Sequence, residues 1–121
     1  MPLPPETFRK LASAKEVLIE THNGERPTKT IIWVVAAAGD LYIRSYRGDA
    51  GRWYQRALAN PRVALILDDL RAEFDAVPAT DPRSVDLAST AFREKYAGSG
   101  RSLDAMLEPD LLHTTMRLSP R

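Results

Sequence analysis

The sequence predicts an α+β protein: a small six-stranded antiparallel β-barrel with flanking helices. Three observations carry this. Six short segments are either strictly alternating in polarity or apolar and rich in β-branched residues, the two signatures of strands. Several neighbours are joined by tight turn signals such as Asn23-Gly24, Gly39-Asp40 and Asp68-Asp69, which suit hairpins. Other stretches carry apolar residues three to four apart and are bounded by proline or glycine, as helices are. Six strands can close or nearly close a sheet and so remove its exposed edges.

Pro4 and Pro5 suit the first turn of a helix, whose apolar face is Phe8, Leu11 and Ala12 and whose end falls near Lys15. From Glu16 the period becomes two. Val17, Ile19 and Thr21 alternate with Leu18, Glu20 and His22, giving a half-buried strand. After Asn23-Gly24, Pro27 is expected to keep the connection from pairing. Residues 31–38 are apolar on both faces and are expected to form a central strand buried on both sides. Residues 41–46 make the next strand, and a loop bracketed by Gly48 and Gly51 leads into a helix over 51–59 carrying Trp53, Tyr54, Ala57 and Leu58. Asn60-Pro61 ends it, because a residue before proline is pushed out of the helical region. Residues 63–67 and 72–77 are strands, the second with Phe74 inward and Glu73 and Asp75 outward. Asp81 before Pro82 is a helix cap and first position, followed by a stripe of Val85, Ala88, Phe92 and Tyr96 that stops at Gly98 and Gly100. Residues 102–108 form a further helical turn or two, and the alternation over 112–118 predicts the sixth strand.

The 121 residues are read as one domain, with 44% hydrophobic and 27% charged residues and no internal repeat. A net charge of +1 argues against a general nucleic-acid binder, so any affinity for anions must come from a local patch. The absence of cysteine excludes disulfides, iron–sulfur clusters and thiolate chemistry. No apolar run is long enough to span a bilayer and the N-terminus lacks a signal pattern, which leads to the expectation of a cytoplasmic protein with no membrane partner.

The group most suggestive of chemistry is Arg44, Ser45, Gly51 and Arg52. Arginine presents a planar fork matched to phosphate oxygens, serine adds a short donor, and the amides at a helix start lack partners. Alternation along the strand sends Arg44 and Ser45 to opposite faces, so only one is expected to reach a ligand by its side chain. The alternative is a solvated arginine beside a tight loop. Trp33 and Trp53 are capable of stacking on a planar ring, but indoles more often anchor cores or interfaces. His22 and His113 share no metal-ligand spacing with other residues, so no metal site is expected. No nucleophile-elbow pattern supports a hydrolase.

Residues 26–67, RPTKTIIWVVAAAGDLYIRSYRGDAGRWYQRALANPRVALIL, resemble the flavin-binding split β-barrels related to pyridoxamine 5'-phosphate oxidase, and within them the small deazaflavin-dependent reductases and their relatives. The resemblance lies in the strand Thr30-Ile31-Ile32-Trp33-Val34, the strand Leu41-Tyr42-Ile43-Arg44-Ser45, and the helix ending Asn60-Pro61-Arg62-Val63. It implies a split barrel acting as a homodimer, with two equivalent cofactor sites at the subunit interface. The implied cofactor is FMN or a deazaflavin, its ring lying against the backbone of Thr30, Ile32 and Trp33. Its phosphate would be held by Arg44 or Ser45 and by Gly51, Arg52 and Trp53, with Lys29 reaching the ring edge or the phosphate. Relatives often carry a lysine in the clamp at the helix start, and the matching positions here read Ala50-Gly51-Arg52-Trp53. The implied activity is hydride transfer to or from a small-molecule substrate. The alternative is a non-catalytic binding module whose groove is filled by side chains such as Trp53 and Tyr46.

Overall fold

A computed structural model describes residues 3–24 and 26–121. Helix α1 (Pro5–Ser13) begins on proline, as its sequence requires, and buries Leu11. Strand β1 (Val17–Asn23) turns at Gly24, whose φ of 65° belongs to the left-handed region, and pairs antiparallel with β2 (Arg26–Ile32) from Val17↔Ile32 to Asn23↔Arg26. Short β3 (Val35–Ala37) and β4 (Asp40–Ile43) form a hairpin around Ala38 and Gly39, both at positive φ, the geometry of a two-residue turn that follows strand twist. A 3-10 turn (Gly48–Ala50) leads into α2 (Arg52–Ala59). Then come β5 (Arg62–Leu67), β6 (Leu70–Pro78), α3 (Pro82–Lys95), α4 (Arg101–Met106), a 3-10 segment (Pro109–Thr114) and β7 (Met116–Pro120). The Asp81 carboxylate caps α3 by accepting from the Ser84 amide at 3.0 Å, and the Ser84 side chain, then its amide, hold the Asp81 pKa below the usual range.

The strands form one antiparallel sheet in the order β2-β1-β5-β6-β7-β4-β3, seven strands rather than the six expected. The added strand comes from the expected central strand 31–38, which is two strands. Its first residues end β2, its last form β3, and the chain breaks between them at Trp33-Val34. The break has a visible cause. The Trp33 ring stacks on Tyr96 of α3, with centroids 3.8 Å apart and planes 4° from parallel. The Val34 carbonyl accepts from Lys95 Nζ at 2.5 Å and from the Tyr96 hydroxyl at 3.4 Å. Helix α3 thus takes the backbone group that a continuing strand would have offered to a neighbour. Because β2 and β3 stand at opposite ends of the sheet order but two residues apart in the chain, the sheet must curl round on itself.

Two further expectations are corrected. Pro27 does not hold its segment out of pairing; it lies within β2, opposite His22. β2 is an edge strand, where a missing N–H is tolerated. The last strand starts at Met116, because Thr114 and Thr115 hydroxyls bond back to the Leu111 and Leu112 carbonyls and wind the preceding residues into the 3-10 segment.

Alternation sorts the side chains between two cores. Ile19, Leu41, Ile43, Leu65 and Phe74 fill the barrel with Trp53 and Tyr54 of α2. Val35 and Tyr42 face outward to meet Ala88, Phe92 and Tyr96 of α3. A helix thereby covers one barrel wall, and the other cover, α2, packs beside β1 at the mouth of a groove.

Candidate functional site

The groove has a volume of about 650 Å³, within the span of small-molecule sites. One wall is β2, contributing Thr28, Thr30 and Ile32, with Trp33 beyond its end. Four strand steps from Thr28 to Ile32 give this wall a length of roughly 13 Å. The opposite wall is the loop after β4 and the first turns of α2, with Arg44, Ser45, Gly51, Arg52, Trp53 and Arg56, and Ser102 and Met106 of α4 also border the groove. β2 pairs with β1 on one side, and among the described residues its outer edge bears backbone N–H and C=O groups with no strand partner.

The expected residues are brought together unevenly. Thr30, Ile32, Trp33, Ser45, Gly51, Arg52 and Trp53 border the groove. Lys29 does not: it points to the other face of β2, in register with Glu20. Arg44 also borders the groove, but it is fully buried and its guanidinium is held by acceptors of the protein itself. Nε donates to Thr115 Oγ1 (2.8 Å), Nη1 to the Met106 carbonyl (3.1 Å), and Nη2 to the Val85 carbonyl (2.9 Å) and Ser89 Oγ (2.8 Å). Its Cζ sits 5.2 Å from the centre of the Phe92 ring. Burial, and secondarily the charge of Arg93, bring its pKa down to about 10. The expectation that Arg44 or Ser45 offers its side chain to a ligand meets an Arg44 fork already held by four internal acceptors. Arg44 directly follows β4, and its side chain reaches α3, the helix that Tyr42 also meets.

Ser45 is also occupied. Its hydroxyl donates to the Gly48 carbonyl at 2.7 Å and its amide to Thr114 Oγ1 at 3.1 Å, which closes the loop. Gly51 packs so closely that a Cβ there would collide with Ser45 Oγ. Trp53 belongs to the barrel core and meets Tyr54 edge-on at 6.1 Å. Arg52 is exposed at the head of α2.

Sequence reasoning missed Thr28, Arg47 and Arg56. Thr28 was hidden by reading its segment as a connection. Arg56 had a usable signal, since it follows Arg52 by one helical turn and shares its face. Its Nε donates to Thr21 Oγ1 at 2.8 Å, across from Thr28 in the β1–β2 register. Arg47, Arg52 and Arg56 form no ion pair among the described residues, and Glu16 is the one carboxylate bordering the groove. The site is thus a cationic slot with an aromatic end at Trp33. Among the described residues no cluster of three metal-ligating side chains occurs, and no helix is long and apolar enough to cross a membrane.

No curated protein matches the chain by sequence. Among solved structures, a conserved hypothetical protein from Mycobacterium tuberculosis superposes with a TM-score of 0.75 at 16% identity, over 98% of this chain and 81% of the other. A putative pyridoxamine 5'-phosphate oxidase from Listeria innocua gives 0.68 at 13% identity, over 96% and 91%. A FAD-binding protein from Mesorhizobium loti gives 0.66 at 14% identity, over 96% and 86%. At such identities the likeness is one of fold, a split β-barrel. By sequence, residues 7–118 match the model of one family, and the chain belongs to it: the bacterial proteins described as "Uncharacterized protein conserved in bacteria (DUF2255)".

Proposed function

We propose that the groove binds a flavin-type cofactor, FMN or a deazaflavin, and that the protein is an oxidoreductase acting on a small molecule. The observation that carries this is the placement of the arginines. Arg52 is the first residue of α2, where the positive end of the helix dipole disfavours a cation. Arg56, four residues on, adds a like-charge pair, and the first turn of α2 holds no acidic residue. Among the described residues no carboxylate pairs with either arginine. An anionic tail between Arg52, Arg56 and Arg47 relieves these costs, with α2 amides as further donors. The unpartnered edge of β2 supplies backbone donors and acceptors for the polar rim of a planar ring, and Trp33 closes that end with an apolar face. Hydride transfer is the chemistry that such a ring supplies when bound. The chain's residues bind it, orient it against β2 and exclude water with Trp33, Trp53 and Ile32. Structural relatives described as FAD-binding and as a putative pyridoxamine 5'-phosphate oxidase support the same class.

The proposal extends to a homodimer. Ile31 is 64% exposed and Tyr46 56% exposed, and both stand at the lip of the groove. A second copy laid over that lip covers them and encloses the ligand.

Titration with FMN and with a deazaflavin coenzyme, followed by quenching of ligand fluorescence, tests the assignment. Arg52→Ala is expected to weaken binding about tenfold, or about 1.4 kcal/mol. Failure of the wild-type protein to bind either compound, or an unchanged Kd in the variant, sinks it.

A further inference from the structure

Arg44 is a buried cation with no carboxylate partner among the described residues. Arginine is rarely buried fully unless paired, and here four neutral oxygens hold it instead. Those oxygens belong to three separate segments: Val85 and Ser89 on α3, Met106 at the end of α4, and Thr115 just before β7. Helix α4 is the one in need of support. It has six residues, too few to be stable alone, and follows Gly100 at a φ of 55°. Met106 is its one buried residue, and the Met106 carbonyl receives Arg44 Nη1 at 3.1 Å. Ser102 and Met106 of this same helix border the groove.

We propose that Arg44 is a positioning residue for the groove, its rigid fork pinning α4 to β4, α3 and the start of β7 so that Ser102 and Met106 stand as a fixed wall. The fork sets where α4 sits, and the groove's width follows. Lysine keeps the charge but cannot reproduce a planar set of donors aimed at three segments. The ligand arm of the test rests on the flavin-site reading, whereas the exchange arm does not.

Amide hydrogen exchange of the ligand-free protein, read by mass spectrometry, and FMN affinity are measured for wild type and Arg44→Lys. Amides of α4 are expected to exchange about tenfold faster while those of β1, β5 and β6 keep their rates. The Kd for FMN is expected to rise about tenfold in parallel. Ser89→Ala, which removes an Nη2 acceptor on α3, repeats the pattern at smaller amplitude and serves if Arg44→Lys does not fold. Uniform acceleration throughout the barrel overturns the proposal in favour of a general stability role. Unchanged α4 exchange overturns it as well, and with weakened FMN binding points instead to direct ligand contact. If the wild type binds no FMN, the cofactor reading falls, and the α4 exchange alone decides the role of Arg44.

Discussion

At the scale of single residues, the bend after β4 is built on a close approach between Gly51 and Ser45. Gly51 has an ordinary φ of −64°, so conformational freedom is not its reason for being glycine; the Ser45 hydroxyl is. Gly51→Ala forces that hydroxyl off the Gly48 carbonyl or shifts the head of α2. Overpacking of this kind costs about 1–3 kcal/mol, which a thermal or denaturant melt resolves. Ser45→Ala removes the obstructing oxygen, so the double variant is expected to be more stable than the sum of the single losses; strict additivity refutes the account. The sequence told part of this. Alternation predicts a strand through Tyr46 with Arg44 and Ser45 on opposite faces, but β4 ends at Ile43 and both residues border the groove. Which face met α3, and so which residue became structural, depended on a helix about forty residues further on.

At the scale of elements, the junction of β2 and β3 is held by the C-terminal end of α3. Lys95 and Tyr96 both reach the Val34 carbonyl, and burial lowers the Lys95 pKa to about 8 and raises that of Tyr96 to about 12. Below about pH 8 Lys95 is protonated whether the chain is folded or unfolded, and the fold carries the full cost of half-burying the charge. Between about pH 8 and the ordinary 10.5 the folded protein releases the proton while the unfolded chain keeps it, so stability rises with pH. Tyr96 works oppositely above pH 10, where the unfolded chain ionises first. Denaturant midpoints measured from pH 8 to 10 are expected to climb, and Lys95→Met to flatten the climb; a flat wild-type profile refutes the assignment. The stretch 31–38 was misread for the same physical reason. Its residues are apolar on both faces whether they run through one sheet position or bend between two, so hydrophobicity alone cannot locate the break.

At the scale of the molecule, the curl of the sheet leaves a cationic groove with an apolar lip. Ile31→Asp places a charge on that lip while sparing the inward residues of β2. The wild-type protein is expected to sediment as a dimer and the variant as a monomer with the same melting temperature; a monomeric wild type refutes the proposed assembly. The sequence by itself determined the α+β class, the hairpins, the capped helix α3 and the residues around Gly51, since periodicity, turn chemistry and capping are local. Only the tertiary structure decided that a broken strand curls the sheet, that Arg56 and Thr28 join the groove, and that the Arg44 fork is held by internal acceptors. Those outcomes depend on long-range packing partners, in which buried donors find acceptors from segments far along the chain, and no local pattern encodes which partner is within reach.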